Sequence, residues 1–144
     1  MSERVSPALR KQVVARARQC CEYCGLPDDV ALVSHQPDHI IATKHGGQTQ
    51  LDNLAYACYA CNHSKGSDIA SVDHISGAVT RLYHPRADRW QDHFRWDGAR
   101  IDPLTPIGRA TEILLRFNEP QRITIRANLL QQHRYPFAGW MTAP

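Results

Sequence analysis

Residues 34–66 decide how this chain is read: SHQPDHIIATKHGGQTQLDNLAYACYACNHSKG. The stretch sets out an Asp38-His39 pair, a Gly46-Gly47 turn, an Asn53-Leu54 dipeptide, a Cys58-x-x-Cys61 pair and Asn62. Upstream, Cys21-Glu22-Tyr23-Cys24 supplies a second Cys-x-x-Cys. Two kinds of metal-binding constellation are therefore interleaved, one of thiols and one of oxygen and imidazole groups.

The thiols come first. Two thiolates three positions apart can both reach one tetrahedral ion, and Gly25 lets the backbone turn beneath it. Cys21, Cys24, Cys58 and Cys61 form two such pairs with 33 residues between them, which in an intracellular chain suggests zinc rather than disulfides. A four-thiolate site leaves no position for substrate, so its role would be structural. The competing reading is four buried thiols. Cys20 could replace Cys21, though at a less usual spacing, and is otherwise expected as a small buried hydrophobe.

Around these motifs, Ser6-Pro7 supplies a helix cap and first-turn proline, with Leu9, Val13 and Ala17 on one face of a helix over 8–19. Arg10, Lys11, Arg16 and Arg18 fall mostly on the other faces, as a solvated basic surface or a phosphate-contacting one. Two short extended segments, at 31–34 and 39–42, or one bent strand are expected, with Pro37 limiting pairing between them, then a loop over 43–52, a strand over 54–58 and a helix over 61–69 with Asn62 in its first turn. Later come a turn at Ser76-Gly77, a strand over 79–83, a break at His84-Pro85-Arg86, a short helix over 88–92 and a hairpin around Asp97-Gly98. A helix opened by Thr105-Pro106 should bury Ile107, Ala110, Ile113, Leu114 and Phe117. A last helix should bury Ile123, Ala127 and Leu130. The first five residues and the tail from Tyr135 are expected to be loose.

The bulk properties set limits. At 144 residues and 16.3 kDa the chain can build one domain with a real core. A mean hydropathy of -0.46, no long apolar run and no signal-peptide core point to a soluble, cytoplasmic protein without a membrane partner. A net charge of +3 permits a polyanionic partner without demanding one.

With these residues in view, the chain resembles the HNH nuclease family. Seven elements occur in the family's order: Cys21/Cys24, Asp38-His39-Ile40, Gly46-Gly47, Asn53-Leu54, Cys58/Cys61, Asn62 and Lys65-Gly66. The resemblance covers 21–66. Leu82-Tyr83-His84-Pro85-Arg86, Trp90, His93-Phe94 and 105–111 also look like an extension seen in bacterial HNH proteins. The implied fold is α+β: a ββα-metal core at about 20–70, clipped by the four-cysteine zinc site. An N-terminal helix precedes it, and a β-hairpin with two helices follows over about 71–134, all in a single domain spanning 1–144.

The implied activity is metal-dependent endonucleolytic hydrolysis of DNA. Such hydrolysis needs an activated water, a base and a cation that neutralises charge on the phosphate. His39 would be the general base, since neutral imidazole suits that task near pH 7. Asp38 and the Asn62 amide oxygen would hold Mg²⁺ or Mn²⁺, or another divalent ion. The family often has His where this chain has Asn62, which makes it an H-N-N variant. By resemblance Asn53 bonds loop backbone and so orients His39; a plain Asx-turn is the rival.

Candidate phosphate contacts are His35, Lys44, His45, His63 and Lys65. A packed strand histidine competes at His35, and solvent exposure competes at Lys44, His45 and Lys65. His74, His84, His93 and His133 are assigned to core or surface. Two other functions fit parts of the pattern. A non-catalytic zinc module binding nucleic acid or protein would share the cysteines but has no reason to keep Asp38-His39. A toxin or defence effector would use residues 80–134 to recruit a partner, whereas Tyr83, Trp90, Phe94 and Trp96 could instead complete the core.

Overall fold

Helix α1 spans Pro7–Ala17, and the Ser6 hydroxyl oxygen accepts from the Leu9 N–H at 3.2 Å to cap it. It ends two residues short of the expected end. Arg18 and Gln19 both turn left-handed, at φ 55° and 61°, and their N–H groups bond back to Ala15 and Val14 carbonyls. The structure, a computed structural model, describes residues 4–137. The expectations for 1–3 and for 138–144 lie outside the described residues.

Val13 and Ala17 bury against Leu54 and Tyr56, which seats α1 on the first sheet. The basic residues of α1 divide between two roles. Arg10 donates to Gln36 Oε1 at 2.8 Å and to the His35 carbonyl at 3.1 Å. Arg16 donates to the carbonyls of Leu51, at 2.6 Å, and Leu54. These two arginines fasten the helix to the strands, while Lys11 and Arg18 remain exposed.

The first sheet corrects the expected strands. β1 is Gln36–His39, pairing antiparallel with β2, Leu54–Ala57, in the register Gln36↔Ala57, Pro37↔Tyr56, Asp38↔Ala55 and His39↔Leu54. Residues 31–34 form bends, and 39–42 meets the strand only at His39. Pro37 is tolerated because its partner needs nothing from it. The Tyr56 N–H donates to Glu22 Oε2 at 2.7 Å, and the Tyr56 carbonyl accepts from Glu22 N–H at 2.8 Å. A missing proline donor therefore costs the ladder no bond at that pair.

Helix α2, Tyr59–Lys65, follows at once. It starts two residues before the expected position and stops four before the expected end. The start is set by Cys58, whose sulfur accepts from the Cys61 N–H at 3.4 Å in the capping position. Beyond it run two hairpins, β3 (Ala70–Val72) with β4 (Val79–Arg81), and β5 (Phe94–Asp97) with β6 (Arg100–Pro103). Strand β3 was not expected, and β4 is shorter than the 79–83 segment. Gly98, at φ 58°, makes the second turn as Asp97-Gly98 foretold. The short helix α3 is Trp90–His93, and α4 and α5 are Pro106–Leu115 and Pro120–Gln131.

Helix α4 keeps most of the expected face: Ala110 and Phe117, just beyond its end, are buried, Ile107 and Leu114 pack against the core, and Ile113 alone of the five is exposed, while Thr111 and Leu115 are buried beside them. The Thr111 hydroxyl earns its place by accepting the Tyr83 N–H at 2.8 Å and donating to the Ile107 carbonyl. In α5 the buried pair is Arg126 and Leu129, and Ile123 and Ala127 are only partly covered. Arg126 donates to the carbonyls of Ala99 and Phe117, at 2.7 and 2.6 Å, so backbone oxygen rather than apolar surface selects the inward side.

The main core joins the two parts of the chain. Cys21, Tyr23, Cys24, Ile40 and Ala55 share it with Leu82, Tyr83, Trp90, Phe94, Ile101 and Phe117. Trp90 stacks on Trp96 at 4.5 Å and meets Phe94 at 5.1 Å. Its indole N–H donates to the Tyr23 carbonyl at 2.8 Å. Tyr135, expected in a loose tail, is 3% exposed; its hydroxyl donates to the Cys24 carbonyl at 2.7 Å.

Candidate active site and metal centre

Cys21, Cys24, Cys58 and Cys61 are all buried, with their sulfurs within 4.8 Å of one another. Ligands held about 2.3 Å from a tetrahedral zinc ion stand about 3.8 Å apart. The Cys24 and Cys58 sulfurs are separated by 3.8 Å, so the set fits such an ion. Burial pushes the Cys21 and Cys61 thiols well up, while hydrogen bonds from Cys21, Cys58 and Cys61 hold Cys24 well below its ordinary value. The remaining protons leave when a metal takes their place. Cys20 is buried outside the cluster, and burial pushes its thiol up to about 12, as befits a small hydrophobe.

Two features of this cluster were not visible in the sequence. Arg122 of α5 donates to the Cys61 sulfur at 3.0 Å and, more distantly, to that of Cys58 at 3.9 Å. Glu22, inside the first Cys-x-x-Cys, is a buried carboxylate paired with Arg86 and lying 3.9 Å from Arg16. Burial and then the nearby Arg16 lower the Arg86 guanidinium to about 10, which leaves it cationic at neutral pH. The His84-Pro85-Arg86 break thus anchors the extension to the knuckle.

The strand end, the loop after it and α2 enclose a cleft of 360 Å³. Asp38, His39, Lys44 and Asn62 line it, together with Gly66 and Ser67. Asp38 and His39 alternate along β1, yet both reach the cleft because His39 is the last strand residue. His39 is 8% exposed, and its Nε2 lies 2.8 Å from Thr49 Oγ1, a contact no motif announced. Burial raises the Asp38 carboxyl above its ordinary value, and the neighbouring Lys65 opposes that rise. Oxygen donors from Asp38 and Asn62 in one cleft could hold a hard divalent ion.

Asn53 braces the loop that carries this cleft. Its Oδ1 accepts from the Ile41 N–H at 3.0 Å, and its Nδ2 donates to the carbonyls of Ile41 and Gln48 at 3.0 and 2.8 Å. Gly47 closes the same contact: a Cβ there would stand 1.8 Å from the Ile41 oxygen. Only glycine allows that approach.

The remaining candidates scatter. His35 is fully buried, with Nε2 2.8 Å from the Leu26 carbonyl and its ring against Tyr56, so the packed-histidine reading replaces the phosphate contact. Lys65 is buried as well, 3.1 Å from Asp38 Oδ2, which corrects both its expected exposure and a reach to phosphate. Lys44 is exposed at the cleft rim. His45 Nε2 lies 3.1 Å from the Ser67 carbonyl, and His63 stacks on Tyr59 on the outer face of α2.

The family model described as HNH endonuclease matches residues 21–68. Among curated proteins, the CRISPR-associated endonuclease Cas9 of Corynebacterium diphtheriae is 37% identical over 59 residues, covering 40% of this chain. The matched segment is 5% of that relative's length. No solved structure matches the chain. Among the described residues, no helix is long and apolar enough to cross a membrane. The family match assigns residues 21–68 to an HNH endonuclease domain, a stretch that holds all four cysteines of the cluster and the residues lining the cleft.

Proposed function

We propose that this protein is a metal-dependent endonuclease that hydrolyses DNA phosphodiesters at the Asp38-His39-Asn62 cleft. The observation that carries the reading is that these three side chains line one cleft, although Asn62 comes from a helix whose start is set by the cysteine cluster. Asp38 and the Asn62 amide oxygen would hold Mg²⁺ or Mn²⁺, which when bound neutralises charge on the phosphate and the leaving oxygen. His39 takes a proton from the attacking water as the water oxygen bonds to phosphorus. The bond to the leaving oxygen breaks, and that oxygen takes a proton from solvent water. With Nε2 against Thr49, Nδ1 is the ring nitrogen left for the water.

The cysteine cluster, with zinc in it, would hold α2 in place and take no part in the chemistry. The contacts of Arg86, Trp90 and Tyr135 with the knuckle support reading the extension as part of the same domain. Lys44, exposed at the rim, would meet backbone phosphate, a contact that positions a substrate without reading its sequence. The test is a panel of supercoiled plasmid, linear duplex, single-stranded DNA, branched DNA and RNA with Mg²⁺ or Mn²⁺. Cutting of at least one DNA form is expected. Failure on all DNA forms with both ions would contradict the proposal.

A further inference from the structure

Lys65 is a buried charge that the proposed chemistry leaves unused. It follows Asn62 by three positions on α2, so the two side chains share a helix face turned toward β1. Its ammonium lies 3.1 Å from Asp38 Oδ2 and donates to the His39 carbonyl at 3.1 Å and the Gly66 carbonyl at 3.4 Å. The side chain is 3% exposed, so it stands behind Asp38, His39 and Gly66 rather than among them in the cleft. One cation thus touches both residues to which the mechanism assigns separate tasks.

We infer that Lys65 is a positioning residue: from the protein interior it engages Asp38 Oδ2, leaves Oδ1 for the divalent ion, and fixes the His39 carbonyl. The inference rests on the reading of Asp38 as a metal ligand. A carboxylate buried without a partner is costly, and Lys65 supplies that partner. The same positive charge repels an incoming divalent ion and keeps one carboxylate oxygen from it. Lys65 therefore lowers metal affinity in the ground state while holding the carboxylate and imidazole in a fixed relation. Small losses of such alignment cost turnover steeply.

Lys65→Gln keeps an N–H donor for the His39 carbonyl and removes the charge. Mn²⁺ binding, followed by electron paramagnetic resonance of the free ion, is expected to tighten about fivefold or more as repulsion is lost. Plasmid cleavage at saturating Mn²⁺ is expected to fall at least about tenfold, with zinc content unchanged. Unchanged or weakened Mn²⁺ binding, or cleavage within about twofold of wild type, overturns the inference. Lys65→Met guards against a folding artefact. It should melt lower than the double variant Asp38→Asn/Lys65→Met, in which neither buried charge is left alone; a double variant no more stable than Lys65→Met also overturns it. Asp38→Ala separates the two claims: if it binds Mn²⁺ like wild type, the parent reading of Asp38 fails, while the melting comparison still reports on the ion pair.

Discussion

Arg122 donates to the Cys61 sulfur at 3.0 Å, bringing a guanidinium from helix α5 onto the cysteine cluster of the 21–68 domain. The same group bonds the carbonyls of Leu115, at 2.5 Å, and Arg116, at 3.0 Å. Burial works against its charge, but the nearness of Cys61, Cys24 and Cys58 outweighs that and raises the guanidinium above its ordinary value. Four thiolates around a divalent ion carry an excess of negative charge, which one neighbouring cation partly offsets.

Arg122→Met should therefore release zinc to a chromogenic chelator about ten- to a hundredfold faster than wild type. Loss of the charged hydrogen bonds should cost about 1.5–3 kcal/mol in denaturant unfolding. Zinc release at the wild-type rate would show that the cluster does not depend on this contact.

Asn53 should act through geometry alone. Asn53→Ala removes three hydrogen bonds from the loop between β1 and β2, leaving the Ile41 and Gln48 groups unpaired. Cleavage is expected to fall about a hundredfold, with zinc content at wild-type level. Gly47→Ala, whose methyl would overlap the Ile41 oxygen, should reproduce that loss. Metal analysis beside a plasmid assay on both variants checks this.

Acid should weaken the extension through the Asp73–Arg109 ion pair. Asp73 is buried and accepts from Arg109 Nε at 2.7 Å and Nη2 at 3.1 Å, as well as from the Ser76 hydroxyl. The Arg109 hydrogen bonds come first, and Ser76 second, in holding its carboxyl well below the usual range. A carboxyl depressed in the folded state adds stability above its unfolded value, about 3.9, and loses it as pH falls toward the folded value. Wild-type protein should lose stability below about pH 4, and Asp73→Asn should be less stable at pH 7 with a flatter acid limb. Thermal melts from pH 2.5 to 7 would show whether the two curves converge in acid.

The parts legible in the sequence were those in which a local pattern carries its own chemistry. The two Cys-x-x-Cys pairs, the Ser6-Pro7 and Thr105-Pro106 caps and the Asp97-Gly98 turn each depend on neighbours a few positions away, and each stands in the structure. Pro37 misled because its tolerance in β1 depends on Glu22, which takes both backbone groups of Tyr56. Lys65 and Arg122 were illegible for the same reason. A long cationic side chain reads as solvated until a carboxylate or thiolate from a distant segment is placed against it. In α5, apolar periodicity pointed to Ile123, Ala127 and Leu130, whereas backbone oxygens of Ala99 and Phe117 drew Arg126 inward.

The central claim is that one imidazole, His39, activates water at a cleft whose scaffold is held separately by the cysteines. Plasmid cleavage by His39→Ala in Mn²⁺, with zinc content measured on the same preparation, tests it most directly. The account predicts cleavage reduced about a hundredfold to ten-thousandfold, the usual weight of a general base, with zinc content unchanged. Cleavage at the wild-type rate by the zinc-replete variant would contradict it.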